Sequence, residues 1–127
     1  MIEQGLQQEI NMVMTEARNR RLEFVTVEHL LLALLNMDEV ISFLRSKRVN
    51  IDELRAELDQ YIDSHTPIIS EDAEIDIVPT VGFQRVLQRS VYQAQSAQKN
   101  SVNAMNVFVS IFSEKESHAV YMLKLNN

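Results

Sequence analysis

The sequence predicts an all-α fold: a pseudo-symmetric tandem repeat of two four-helix units, the second truncated at its C-terminus, joined by an extended acidic linker. Three observations carry this expectation. Apolar side chains recur at helical spacing along most of the chain. Only two glycines and two prolines punctuate 127 residues, so long stretches hold nothing that would break a helix. Finally, the chain matches its own hydrophobic pattern when slid along itself by 77 residues.

The first helix covers 6–20, where Leu6, Ile10, Val13, Met14 and Ala17 share one face. Glu23-Phe24-Val25-Thr26 reads as a break followed by an N-cap. The Thr26 hydroxyl can accept from a free amide of the next turn, and Glu28 stands near the positive end of the helix. That helix, from 27 to about 37, is apolar nearly all round and belongs at the centre of the core. Val40, Ile41, Phe43 and Leu44 mark a short third helix. Asn50 or Asp52 caps a fourth, with Ile51, Leu54, Leu58, Tyr61 and Ile62 on one face. Residues 64–80 lose the period: Pro67 and Pro79 bracket an acidic stretch that reads as an extended connection over the surface. From Thr80 the pattern returns with Phe83, Val86, Leu87, Val91 and Ala94, and a polar patch at 98–101 ends it. Asn103 caps the next helix, which carries Ala104, Val107, Phe108, Ile111 and Phe112; Ala119, Val120, Met122 and Leu123 mark the last.

The shift of 77 aligns 6–36 with 83–113 without a gap. Leu6 falls on Phe83, Ile10 on Leu87, Leu30 on Val107, Leu31 on Phe108, Leu34 on Ile111, and the cap Thr26 on the cap Asn103. A two-residue insertion then brings Phe43-Leu44 onto Met122-Leu123. The expected organisation is one domain over 1–127, with a first repeat at 1–63, a linker at 64–80 and a second repeat at 81–127. The counterpart of the fourth helix is expected beyond Asn127, which leaves apolar surface around Tyr121, Leu123 and Leu125 less covered.

Composition narrows the chemistry. Lys and Arg number 12 against 18 Asp and Glu, a net charge of −6. Residues 63–80 carry 5 acidic and no basic side chains, whereas 81–127 carry 5 basic and 2 acidic ones. An acidic total with no large Lys/Arg cluster is a poor match for nucleic acid. The longest apolar run, 30–35, is far too short to span a membrane. Without cysteine there is no disulfide or thiolate chemistry, which suits a reducing cytoplasm. Gly5 and Gly82 stand far apart, so no glycine-rich phosphate loop exists. His29, His65 and His118 lack metal-ligand spacing, and the expectation is surface or satisfied histidines and no metal. No serine lies in a nucleophile setting, and nothing argues for catalysis.

The repeat also filters candidate binding residues. Glu23 aligns with Asn100 and Glu28 with Met105, so both acids border the Thr26 cap in the first half alone. One reading is a helix N-terminus preferring negative charge; the other is an exposed acidic pair that docks a basic partner surface. Thr80 is likewise a cap first and a contact residue second, and the two roles are compatible.

The stretches EFVTVEHLLLALL (23–35), FQRVLQRSVYQAQS (83–96) and IFSEKES (111–117) resemble the N-terminal domain of Clp-type AAA+ ATPases, and the last two favour its ClpA branch. The resemblance covers essentially the whole chain. It implies a pseudo-symmetric pair of four-helix repeats that sits flexibly above an ATPase ring, presents protein substrates and docks the adaptor ClpS. ATP binding would belong to modules beyond Asn127, with no cofactor in this domain, and the ClpP peptidase would be reached only through the rest of the parent chain. Glu23 and Glu28 match adaptor-facing acids around the family's TVEH; Thr80 and Arg85 match the contact area at the start of FQRVLQR. Leu22 departs from the histidine of some relatives, which argues against a zinc contact. The isolated domain is expected to be a monomer. The alternatives are a ClpB- or ClpC-type N-domain with a different adaptor, or a small all-α carboxylate enzyme.

Overall fold

Four polar side chains read as helix caps in the sequence each accept a hydrogen bond from the backbone amide three residues on. Thr26 opens α2 (Val27–Leu34), Asn50 opens α4 (Ile51–His65), Thr80 opens α5 (Val81–Ser96) and Asn103 opens α6 (Ala104–Ile111). With α1 (Gln4–Asn19), α3 (Asp38–Ser46) and α7 (His118–Leu125), they make seven helices among residues 2–70 and 77–125, the part of the chain that this computed structural model describes. The helix expected from 27 to about 37 is shorter than that, and the short third helix expected around Val40–Leu44 is longer. α2 ends at Leu34 because the amides of Asn36 and Met37 turn back onto Ala33 and Leu34, and α3 starts afresh at Asp38.

The duplication holds to the residue. Shifted by 77, the bounds of α1 become those of α5 and the bounds of α2 become those of α6. Arg21 and Gln98, one shift apart, follow α1 and α5 with left-handed backbones (φ 58° and 59°). Each is succeeded by an amide that reaches back five residues, Leu22 to Ala17 and Lys99 to Ala94, so the two helices end in the same way.

The all-α expectation needs one addition. β1 (Phe24–Val25) and β2 (Val78–Pro79) form a two-residue parallel ladder, with Phe24 opposite Val78 and Val25 opposite Pro79. Its symmetry mate is the parallel bridge of Ile2 with Val102. The hydrogen bonds correspond as well: Thr80 N–H donates to the Val25 carbonyl and Glu3 N–H to the Val102 carbonyl, both at 2.9 Å. Each repeat's lead-in segment is therefore satisfied by the other repeat's interhelical connection. Unpaired backbone polar groups there would carry a desolvation cost, and this exchange removes it while tying the halves together.

The linker is also more firmly held than expected. α4 runs to His65, Thr66 and Ile77 are buried, Leu22 bridges Ile68, and the Arg21 side chain donates to the carbonyls of Ile69 and Ser70. The acidic run at 71–76 lies outside the described residues.

α2 occupies the centre, as its apolar periphery demands. Leu30, Leu31, Ala33 and Leu34 are buried, and α2 packs against α1, α4, α5, α6 and α7. Its counterpart α6 buries Ala104, Val107, Phe108 and Ile111 but leaves Val109 and Phe112 exposed. On α7, Leu123 is buried while Tyr121 and Leu125 are exposed.

Candidate functional site

The exchange of lead-in segments creates two equivalent junctions, one at the start of α1 and one at the start of α5. Their chemistry differs. At the α5 junction Arg85 and Arg89, one helical turn apart, converge on Glu114. The Arg85 Nε lies 2.9 Å from Glu114 Oε2 and its Nη2 lies 2.5 Å from Oε1, a bidentate fork. Arg89 donates to Glu114 Oε2 at 3.2 Å and to the Ser110 carbonyl at 3.1 Å. Under the shift of 77, the α1 junction carries Gln8, Met12 and Met37 in place of Arg85, Arg89 and Glu114.

Glu114 is only 8% exposed. Its hydrogen bonds with Arg85 hold the carboxyl below its ordinary pKa; burial pushes the other way, and Arg89 adds to the lowering. Gly82 is what lets α5 approach so closely. A Cβ there would lie 3.1 Å from Val27 Cγ2 and 3.4 Å from Glu114 Oε1, whereas one on its counterpart Gly5 would meet only Met37 Cε, at 4.0 Å.

Three of the four residues singled out from the sequence lie at this junction with accessible surface. Glu23 is exposed and its carbonyl accepts from Val78 N–H, so it stands beside the strand that leads to Thr80. Thr80 is half-buried and accepts from Phe83 N–H at 3.2 Å, which satisfies one of the free amides of α5. Arg85 keeps about half of its side chain in solvent (54%) while holding Glu114. Thr80→Ala is expected to lower stability by about 1 kcal/mol, read as a lower denaturation midpoint with an unchanged far-UV spectrum.

Glu28 corrects the expectation of an exposed acidic pair. It is 7% exposed, and its Oε2 accepts from Ala119 N–H at 2.9 Å, at the first turn of α7. The carboxylate thus serves an amide that α7 cannot satisfy itself, next to that helix's positive end. It joins the first repeat to the second from inside.

His29 corrects a second expectation, that the histidines are on the surface or satisfied. The ring is 3% exposed and its Nδ1 accepts from Thr26 N–H at 3.0 Å, closing a capping box. Its Nε2 is buried without a partner. Burial, with a smaller contribution from the charge on Arg20, lowers its pKa to about 4. His65 and His118 stack on either side of Tyr61, with ring centroids at 4.1 and 3.9 Å.

Glu114 and Gly82 were not identified as site residues from the sequence. The available signal was the i, i+4 pair Arg85 and Arg89, two cations on one helix face whose mutual repulsion a carboxylate between them relieves. Among the described residues, no group of three or more His, Cys, Asp or Glu side chains is placed to hold a metal ion. No described helix is long and apolar enough to cross a membrane.

Known proteins share this architecture. The family described as Clp repeat (R) N-terminal domain matches residues 1–126. A ClpA homolog protein of Fuscovulum blasticum is 37% identical over 120 residues, 94% of this chain. This chain spans 15% of that relative's length. The Hsp104 N-terminal domain from Candida albicans matches the fold with a TM-score of 0.83 at 12% identity, over 98% of this chain and 81% of that one. The N-terminal domain of the chaperone ClpD from Arabidopsis thaliana does so with a TM-score of 0.66 at 18% identity, over 97% and 84%.

Proposed function

The chain belongs to the Clp repeat N-terminal domain family, and on that footing we propose that it is a non-catalytic adaptor- and substrate-docking domain of a ClpA-type unfoldase, with ClpS as its adaptor. The reading rests above all on the asymmetry of two equivalent junctions: only one carries Glu23, Thr80 and the Arg85–Glu114–Arg89 cluster. A polar surface whose arginines are held by a buried carboxylate presents oriented charges to a folded partner with less side-chain ordering left to complete. Glu23 offers an exposed carboxylate to a basic group, and Arg85 offers the free edge of a guanidinium already oriented by Glu114.

In this reading the domain acts in the cytoplasm as a monomeric module with no cofactor of its own. ATP is handled by ring modules elsewhere in the parent protein, and ClpP is engaged only through them. A flexible tether to that ring would raise the local concentration of captured substrate near the pore, so weak reversible docking suffices.

The test is calorimetric titration of the domain with purified ClpS. Glu23→Lys is expected to weaken binding about tenfold, or about 1.4 kcal/mol, with helicity unchanged. Failure of the unsubstituted domain to bind ClpS would end the proposal. Wild-type affinity in both Glu23→Lys and Arg85→Gln would move the interface away from this junction.

A further inference from the structure

The outward faces of α1 and α5 are a matched pair, since the two helices share their bounds under the shift of 77. On α5, Val81, Arg85, Gln88 and Tyr92 follow one another at intervals of four, three and four residues. That spacing keeps them within about 60° of arc, in a row about 16 Å long. All four are exposed, Val81 at 69% and Tyr92 at 70%. The corresponding positions of α1 are Gln4, Gln8, Asn11 and Thr15, which are exposed as well. Equal positions on equal helices thus hold an apolar, a cationic and an aromatic side chain in one repeat and only neutral polar ones in the other.

Helix formation does not account for the difference. Valine is a poorer helix former than glutamine, and tyrosine has no advantage over threonine. No ring contact or side-chain hydrogen bond engages Tyr92 among the described residues. Single exposed apolar side chains are ordinary, but these two bracket Arg85, whose guanidinium Glu114 already orients. The row is also short of negative charge. α5 carries no acid, and the hollow beside it is lined by Arg85, Arg89 and Lys115 against Glu114 and Glu116. One carboxylate from outside balances that set, and the solvent-facing half of Arg85 is where it can be met.

We propose that this face of α5 continues the adaptor-docking junction, with Val81 and Tyr92 as apolar anchors on either side of Arg85. The inference rests on the docking reading above and adds the chemistry of the partner surface: a carboxylate for Arg85 with an apolar contact on each side of it. Tyrosine and arginine often dominate interface energetics, because a rigid ring or a planar fork supplies contact at low ordering cost. Glu23 stands beside the strand that leads into the Val81 end of the row. The partner's charges therefore run from basic to acidic along α5.

The experiment grafts the α1 face onto α5. Val81→Gln and Tyr92→Thr install the residues found at positions 4 and 15, and both variants are titrated with purified ClpS by calorimetry beside the parent domain and Met12→Ala. Met12 is the control, an apolar side chain of similar exposure (63%) on α1. Each α5 variant is expected to bind about tenfold more weakly with an unchanged far-UV spectrum, and Met12→Ala to bind as the parent does. In a 15N-labelled domain, ClpS should shift the amides of Val81, Arg85, Gln88 and Tyr92 and spare those of Gln4, Gln8, Asn11 and Thr15. Parent affinity in both α5 variants overturns this inference and leaves the docking proposal standing on Glu23. An equal loss in Met12→Ala overturns it too, because exposed apolar surface in general would then attract the adaptor. A parent domain that does not bind ClpS overturns the docking proposal and this inference with it, so the parent and variant titrations report the two separately.

Discussion

Glu28→Lys is expected to destabilise the domain by about 3–5 kcal/mol, because it replaces a buried, hydrogen-bonded carboxylate with an unpaired buried cation. The Glu28 carboxylate is held 2.9 Å from the Ala119 amide inside the interface between the two repeats. A lysine there would set an ammonium, which only donates, against amides that also only donate, at the positive end of α7. Glu28→Gln retains an acceptor oxygen and should cost about 1–2 kcal/mol. Urea denaturation of the three proteins checks the ranking, and hydrogen exchange should show α7 opening first in the lysine variant. A lysine variant within 1 kcal/mol of the parent would mean that α7 does not depend on this bond. The consequence for function is direct. If Glu28→Lys abolishes adaptor binding, the loss reports an undocked α7, and exposed Glu23 is the residue whose charge reversal tests contact.

The same residue marks where reading the sequence stops. Local signals were legible wherever the cause is local. The caps Thr26, Asn50, Thr80 and Asn103 satisfy amides within their own first turns, and periodicity places Leu30, Leu31 and Leu34 in the core. The repeat was legible for the same reason, since equal spacing of caps and apolar faces forces equal helix bounds. What was not legible depends on pairs distant in the chain. Glu28 meets an amide 91 positions away and Arg85 meets a carboxylate 29 positions away. The ladder joins Phe24-Val25 to Val78-Pro79 over two residues, too short for any alternating pattern, and one partner is a proline. Acids near a helix start read as favourable end charges whether they face water or another helix, and only packing distinguishes exposed Glu23 from buried Glu28.

Acid should destabilise the domain through His29 before it acts on the carboxylates paired with arginine. The His29 pKa falls from 6.5 in the unfolded chain to about 4 in the folded domain. Above pH 6.5 the ring is neutral in both states and its full contribution is present. As pH falls through the window from about 6.5 to 4, the unfolded chain takes up a proton that the folded one refuses, and about 3 kcal/mol of stability is lost. The local reason is that Nδ1 accepts from Thr26 N–H, so a proton added there turns an acceptor into a donor facing a donor, within a largely apolar core. Glu114 behaves as a lowered carboxyl: its contribution is present above its unfolded pKa and is lost only as pH falls through its lower folded value. Urea midpoints measured from pH 7.5 to 4 should therefore drop steeply for the parent and less for His29→Gln, which keeps a cap acceptor without a titrating ring. The difference between the two curves should grow through the histidine window and level off below it. Parallel curves would mean that the His29 ring titrates alike in the folded and unfolded chains, and that the capping box is maintained when the ring is charged.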